Sequence, residues 1–271
     1  MENPGSNPGG STNIFSKHLS FTMKLQAVIE TGSTGLWYGR FRELPGTHAR
    51  AESLELLLHE LDAEAFYHDT WLGLHGEKPL GLVEVAVDVV ERVDGIDMLG
   101  ESGGVVALFE YDLGSPSSSH IQKCIRYMGY HRCDLFTLIS GIDEEKLHHT
   151  PAGKKRDIVQ ILRHICNAEE WYISRLGADA DKAYEKNLGM KVDEADKLPI
   201  NERLSTVRRA CVATLNEIIP EKHGVFKRAD YTSYPHERWT AKKVMRRFLE
   251  HEREHIYNIR WYLGRDIRAF P

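Results

Sequence analysis

The chain has 271 residues, a length that is long for one domain and suits two. Its hydrophobic fraction of 41% and its charged fraction of 28% are typical of a globular protein. Its net charge of −5 argues against binding to nucleic acid or to an anionic membrane surface. We therefore expect no DNA partner and no membrane partner, but a small molecule or another protein.

The cysteine spacing and the N-terminal residues indicate a cytoplasmic protein. The four cysteines form no CxxC pair and lack the dense spacing of a disulfide framework, so we expect free thiols. The chain contains no run of about 18 apolar residues and no signal-peptide pattern. Residues 1–22 are rich in Gly, Pro, Ser and Asn, a composition that buries too little apolar surface to fold. We therefore predict a disordered tail, and the patterned sequence begins at Met23.

Residues 23–92 are predicted to form a small α+β domain with the element order β-β-α-β. Two alternating stretches, Lys24–Glu30 and Leu36–Phe41, flank a Gly-containing turn and indicate a hairpin. Ser53 is typical of a helix N-cap, and the leucines that follow it repeat at helical spacing to about Trp71.

The domain is expected to end with a strand and a linker. The valines between Leu82 and Val90 alternate with other residues and predict the last strand. Residues 93–118 contain several glycines and a Ser-Pro-Ser run, which are typical of a linker. Within this linker, Val105–Tyr111 could add one further strand.

The pattern then changes to long amphipathic helices separated by Pro and Gly. We predict them at residues 119–140, 155–176, 200–218 and 240–263. Four such helices most simply make a four-helix bundle over residues 119–271, a fold that builds metal sites between facing helices. The predicted fold class is therefore a two-domain α+β protein, with a small β-β-α-β domain followed by an all-α four-helix bundle.

His251 and His255 lie four residues apart in the last predicted helix. At this spacing both imidazoles project from one helix face, and together they can hold a divalent ion, with Zn favoured and Ni also compatible. The letters also match the HExxH motif of zinc peptidases, in which Glu252 would act as general base, so Glu252 is a candidate catalytic residue. The downstream third ligand of such a peptidase is missing, because Asp266 is the only acid after His255.

An upstream third ligand is available in the second predicted helix. His164 falls on the apolar stripe that includes Ile161 and Ile165. A lone histidine on an apolar face is more often a core residue, but a histidine pair on a facing helix favours a shared metal site. Three histidines with an open coordination position are typical of a catalytic rather than a structural site.

The charged residues around the histidine pair are expected to face solvent. They are Arg246, Arg247, Glu250, Glu252, Arg253 and Glu254. Glu252 and Glu254 could orient a ligand or transfer a proton, although a surface ion pair is the simpler interpretation for each. A rival interpretation places His251 and His255 on the same solvated face. His131, in the first helix of the bundle, is also expected to be solvated.

Residues 119–265 resemble the DinB/YfiT-like family of four-helix-bundle metalloenzymes. The resemblance rests on ILRHICNAEEWY around His164 and on FLEHEREHIYNIRWYL around His251 and His255. It implies that these three histidines bind the metal, and that the protein is a metal-dependent thiol transferase, isomerase or hydrolase with a small-molecule substrate such as a thiol. The His-Arg-Gly-Gln-like run that usually follows the ligands is replaced by Ile256–Arg260.

Residues 23–90 resemble a HicB-type antitoxin fold. The resemblance is carried by the segment from Met23 through the hairpin to the start of the helix at Glu55. This second resemblance implies an alternative, non-enzymatic function. The N-terminal domain would then recognise a protein or RNA, and the bundle would be a metal-stabilised scaffold. A homodimer that pairs through an exposed helix face is expected by analogy with other bundles of this size.

Overall fold

The N-terminal part of the molecule is a four-stranded sheet with one long helix. The structure is a computed structural model and describes residues 22–270, so the tail predicted over residues 1–22 lies outside the described residues except for Thr22. The elements of this part are β1 (Thr22–Gly32), β2 (Trp37–Phe41), β3 (Ala49–Ala51), α1 (Leu54–Leu74) and β4 (Glu84–Ile96). The sheet order is β3-β2-β1-β4, in which β1 is antiparallel to β2 and parallel to β4.

Strand β1 buries both of its faces. Leu25 and Ile29 pack with residues of α1 on one face, whereas Val28 packs with Phe109 on the other. Because residues 105–109 cover this second face of the sheet, they do not join its edge. The strand predicted at Val105–Tyr111 is therefore not formed. A 3-10 turn at Glu110–Asp112 follows this segment.

The N-terminal part has the predicted helix cap but differs from the prediction at two strands. Ser53 caps α1 as predicted, since its hydroxyl accepts a hydrogen bond from the backbone N–H of Leu56. Strand β3 was not predicted, because three residues are too few to show an alternating pattern. Strand β4 runs to Ile96, beyond the boundary predicted at residue 92.

The rest of the described chain is helical. Its α-helices are α2 (Ser118–Ile139), α3 (Glu144–Leu147), α4 (Ile158–Ser174), α5 (Ala178–Leu188), α6 (Val192–Ala195), α7 (Ile200–Ile218) and α8 (Ala241–Tyr262). The four long helices α2, α4, α7 and α8 match the predicted spans to within three residues at each end. Helix α5, which packs against α4 and α7, was missed. Within residues 22–270, no helix is both long enough and apolar enough to cross a membrane.

The hydrophobic core of the helical part extends onto the N-terminal part. Tyr67, Trp71 and Leu72 of α1 belong to the same buried cluster as the facing residues of α2, α4, α7 and α8. The indole N–H of Trp71 also donates to Asp134 of α2 over 2.6 Å. Helix α1 is therefore shared between the two parts, and they pack as one body.

Buried ion pairs join the N-terminal sheet to α8. Arg40 of β2 contacts Glu250 at 3.0 Å and Glu30 of β1 at 2.6 Å, and all three side chains are buried. Arg246 pairs with Asp112 at 2.8 Å and with Glu250 at 3.1 Å. The expectation that the charged residues of α8 face solvent is wrong for this side of the helix, because the sheet and the 3-10 turn cover it.

His131 is also buried rather than solvated. Its side chain lies beneath Arg253, whose Nη2 donates to His131 Nε2 over 3.1 Å. The same guanidinium contacts Glu64 Oε1 at 2.9 Å and His68 Nδ1 at 3.0 Å, both on α1. The expectation of a solvated His131 fails because α1 occupies the position where solvent was expected.

The stability of the metal-free protein should fall as pH falls below about 6.5. Burial, and then the charge of Arg253, lowers the pKa of His68 and His131 well below 6.5. The folded state therefore accommodates their neutral forms, whereas the unfolded chain binds the protons. Each histidine thus contributes stability that is fully present above pH 6.5 and is lost below it, at up to about 1.4 kcal/mol per pH unit.

Urea unfolding between pH 7.5 and 5.5 measures this slope. The variant His131→Gln, which keeps an acceptor for Arg253, should give a shallower slope than the natural chain. His59→Gln, a change at an exposed histidine of α1, should leave the slope unchanged. An unfolding free energy that does not change with pH would contradict the account.

Candidate metal centre

Helices α4 and α8 begin at side-chain caps that set the positions of the histidines they carry. The carboxylate of Asp157 accepts a hydrogen bond from the backbone N–H of Gln160 over 2.7 Å, and the Gln160 side chain accepts one from Asp157 over 2.9 Å. Thr240 caps α8 by accepting from the backbone N–H of Lys243 over 3.1 Å. The apolar stripes of the two helices then pack in one core, which brings their histidines face to face.

The structure brings the three histidines singled out from the sequence together. His251 Nε2 lies 3.1 Å from His164 Nε2 and 3.0 Å from His255 Nε2. The ring centroid of His164 lies 5.0 Å from that of His251 and 5.0 Å from that of His255. The three side chains thus turn the same ring nitrogen toward one point between α4 and α8.

The environment keeps these imidazoles neutral. Burial lowers the pKa of His164 to about 3, helped by the proximity of His255. Burial likewise lowers the pKa of His255 to about 3 and that of His251 well below its usual range. Because a metal ion binds the neutral form of histidine, each nitrogen is ready to act as a ligand at neutral pH.

The spacing of the nitrogens fits a single transition-metal ion. Nitrogens bonded to one ion at about 2.05 Å lie about 3.3 Å apart in a tetrahedron and about 2.9 Å apart at adjacent corners of an octahedron. The distances of 3.0 and 3.1 Å lie between these values. Each of these Nε2 atoms carries either a proton or a lone pair, so one donor–acceptor hydrogen bond pairs only two of the three, whereas one ion would bind the lone pairs of all three together.

An aromatic wall lies on one side of the cluster. The ring of Tyr172 packs edge-on against His251 with centroids 5.7 Å apart, and the guanidinium of Arg247 lies 5.9 Å from the centre of the Tyr172 ring. His251 and His255 are each 8% exposed. The two histidines of α8 are therefore shielded from water, whereas His164 of α4 is partly exposed.

Glu252 points to a different part of the bundle from its histidine neighbours. Its two carboxylate oxygens accept hydrogen bonds from Arg132 of α2 over 2.7 Å and from Arg208 of α7 over 2.6 Å. Burial raises the pKa of Glu252, but the two arginines outweigh burial and the pKa is lowered overall. In the described part of the chain, none of its hydrogen bonds reaches His164, His251 or His255. A catalytic role for Glu252 stays a prediction.

The partners of Glu252 belong to a buried charge network that the sequence did not predict. Glu169 of α4 also pairs with Arg132 and Arg208, so each of the four long helices contributes one charged residue. All four side chains are nearly or fully buried. Each residue lies among apolar positions of its own helix, but the sequence of one helix does not show that the others supply opposite charges.

The fold and the site define a helical-bundle protein with a buried cluster of three histidines. Residues 129–259 match the DinB superfamily, in agreement with the resemblance noted for this part of the sequence. Among solved structures, the chain is similar to YfiT from Bacillus subtilis, which is described as a probable metal-dependent hydrolase with an unusual four-helix bundle topology. That similarity has a TM-score of 0.40 and 14% identity, and covers 60% of this chain and 96% of YfiT.

No curated protein matches the chain. The DinB match does not extend to residues 23–90, so the resemblance of this segment to HicB stays a prediction.

Substitution of Glu252 should strongly lower the free energy of unfolding. Glu252→Gln would leave Arg132 and Arg208 to share Glu169 alone inside the bundle, and breaking a buried ion pair costs about 3–5 kcal/mol. Urea unfolding of the variant should show this loss. Glu202→Gln, at an exposed position of α7, is the matched control. An unchanged unfolding free energy for Glu252→Gln would show that the network contributes nothing to stability.

Proposed function

We propose that the protein binds one divalent transition-metal ion through His164, His251 and His255 and is a metal-dependent enzyme. The observation that carries this proposal is the convergence of three neutral histidines. His251 Nε2 lies 3.1 Å from His164 Nε2 and 3.0 Å from His255 Nε2, and the ligand atoms of all three lie within 4.8 Å of one another. The match of residues 129–259 to the DinB superfamily supports the same reading. Zinc is the favoured ion because it suits all-imidazole ligation, and nickel fits the same donor set.

The donor set favours catalysis over a structural role. Three protein ligands leave at least one coordination position open, whereas structural zinc sites are closed by four. When bound, the ion would lower the pKa of a neighbouring thiol or water and so supply a nucleophile at neutral pH. This chemistry suits a thiol transferase, an isomerase or a hydrolase that acts on a small molecule.

The chain's own residues support such a reaction. Packing between α4 and α8 orients His164 against the other two histidines, and the ring of Tyr172 supports His251. The low exposure of the cluster limits the access of bulk water, which strengthens electrostatic interactions within the site.

The rival function, a recognition module on a metal-stabilised scaffold, has less support. A recognition domain of that kind would be expected to hold a free surface apart from the bundle. Here α1 shares the core of the bundle, and Arg40 and Arg253 form buried ion pairs across the boundary. These contacts favour an N-terminal part that works together with the metal site.

Metal content tests the proposal. Purified protein should hold about one zinc or nickel ion per chain, as measured by elemental analysis without chelators. His164→Ala and His255→Ala should each lose most of this metal, while circular dichroism should show the helices intact, because the bundle has its own core. His59→Ala, which removes an exposed histidine, should retain the metal. Metal-free natural protein, or full metal content in His164→Ala, would refute the proposed site.

A further inference from the structure

A cavity beside α8 is lined by both parts of the chain, and His164, His251 and His255 are not among its lining residues. Its volume is about 250 Å³, and it borders Glu254 and Asn258 of α8. Glu254 lies three positions after His251, and Asn258 lies three positions after His255, so both residues neighbour the histidines on the surface of α8. The N-terminal part contributes His48 and Arg50 to the lining.

His48 is a buried polar side chain without a partner. It is 3% exposed, and neither of its ring nitrogens makes a hydrogen bond within residues 22–270. The nearest carboxylate oxygen, on Glu254, lies 3.7 Å from His48 Nε2, beyond hydrogen-bonding distance. Because an unsatisfied buried donor is costly, a side chain of this kind at a cavity wall indicates a ligand that completes its hydrogen bonding.

The charges around the cavity favour an anionic group. Arg50, Lys154 and Arg268 line it, against the carboxylates of Glu60 and Glu254. Arg268 pairs with Glu60 at 2.6 Å and Arg50 with Glu254 at 3.0 Å. Lys154 makes no ion pair with a carboxylate in the described part of the chain. The cavity therefore has an excess of positive charge, which a dication held by neutral imidazoles would increase.

The lining side chains further restrict the class of ligand that fits the cavity. The guanidinium of Arg50 is partly exposed and presents paired donors that suit a carboxylate. Trp261 is 51% exposed and adds an apolar wall, over which the ammonium of Lys154 lies 4.5 Å from the ring centre. A small molecule with one carboxylate and an apolar part fits both features.

We propose that the N-terminal part completes the site by binding a carboxylate group of the substrate through Arg50 and His48, with the apolar part of the substrate against Trp261. This inference rests on the metal-dependent activity proposed above, since Glu254 and Asn258, which line the cavity, neighbour the candidate ligands on α8. It gives the N-terminal part a role in substrate recognition.

Benzoate is a suitable probe, because it combines a carboxylate with an apolar ring. We expect isothermal titration calorimetry to detect its binding to the zinc-loaded full chain. Arg50→Gln should weaken binding by about 10-fold or more, since it removes a charged hydrogen bond, and His48→Ala by roughly 2- to 10-fold. The matched changes Arg209→Gln and His59→Ala, at exposed positions outside the cavity, should leave the affinity unchanged.

Glu254→Gln provides a test of opposite sign. This change removes the carboxylate that competes for Arg50, so it should tighten benzoate binding. A merely structural role of the Arg50–Glu254 pair would instead weaken binding in both variants, which would overturn the inference. If Arg50→Gln proves unfolded by circular dichroism, the direction of the Glu254→Gln effect decides the question.

Metal content measured on the same samples separates this inference from the proposed function. Zinc-loaded protein that does not bind benzoate, or Arg50→Gln and His48→Ala variants that bind it with natural affinity, would overturn the carboxylate site and leave the metal site standing. A natural chain that takes up no metal would overturn the proposed function, and the inference with it.

Discussion

The burial of most of α8 is the constraint on which the rest of the structure depends. Nearly every residue of this helix is buried, including most of its charged side chains. Since a buried charge is stable only beside an opposite charge, each one must find its partner on a neighbouring element. Glu252 finds Arg132 and Arg208 within the bundle, whereas Glu250 finds Arg40 on the sheet. The partners of α8 thereby fix how the two parts of the chain pack.

Another side of α8 faces α4, and the histidines on this side have no charged partner. His251 and His255 meet His164, a residue of the same type, so no hydrogen-bonding arrangement within the trio satisfies all three nitrogens. The surrounding ion pairs hold these imidazoles in place, and burial keeps them neutral. Structure and proposed function are therefore linked: the charge networks position α8, and α8 positions the candidate ligands.

Much of the helical part could be predicted from the sequence, but its charge partners could not. Apolar periodicity broken by Pro and Gly located α2, α4, α7 and α8, and the spacing of His251 and His255 with an upstream His164 identified the cluster. The pattern failed for β3, which has only three residues, and for α5, in which two of the four buried residues are alanines and the apolar stripe is weak. It also failed for Glu250, Arg253 and His131, because periodicity within one helix does not show that the sheet or α1 covers its charged side. His48 was not singled out for a similar reason, since it approaches Glu254 of α8 from a distant part of the sequence.

The most direct test of the account is X-ray absorption spectroscopy at the zinc edge on the zinc-loaded full chain. A zinc ion held by His164, His251 and His255 should give a nitrogen shell at about 2.0–2.1 Å with the outer-shell scattering of imidazole rings. A sulfur shell at about 2.3 Å would contradict it, and would point instead to a cysteine such as Cys166 on α4. Zinc that lacks imidazole scattering would likewise contradict the proposal that His164, His251 and His255 hold the ion.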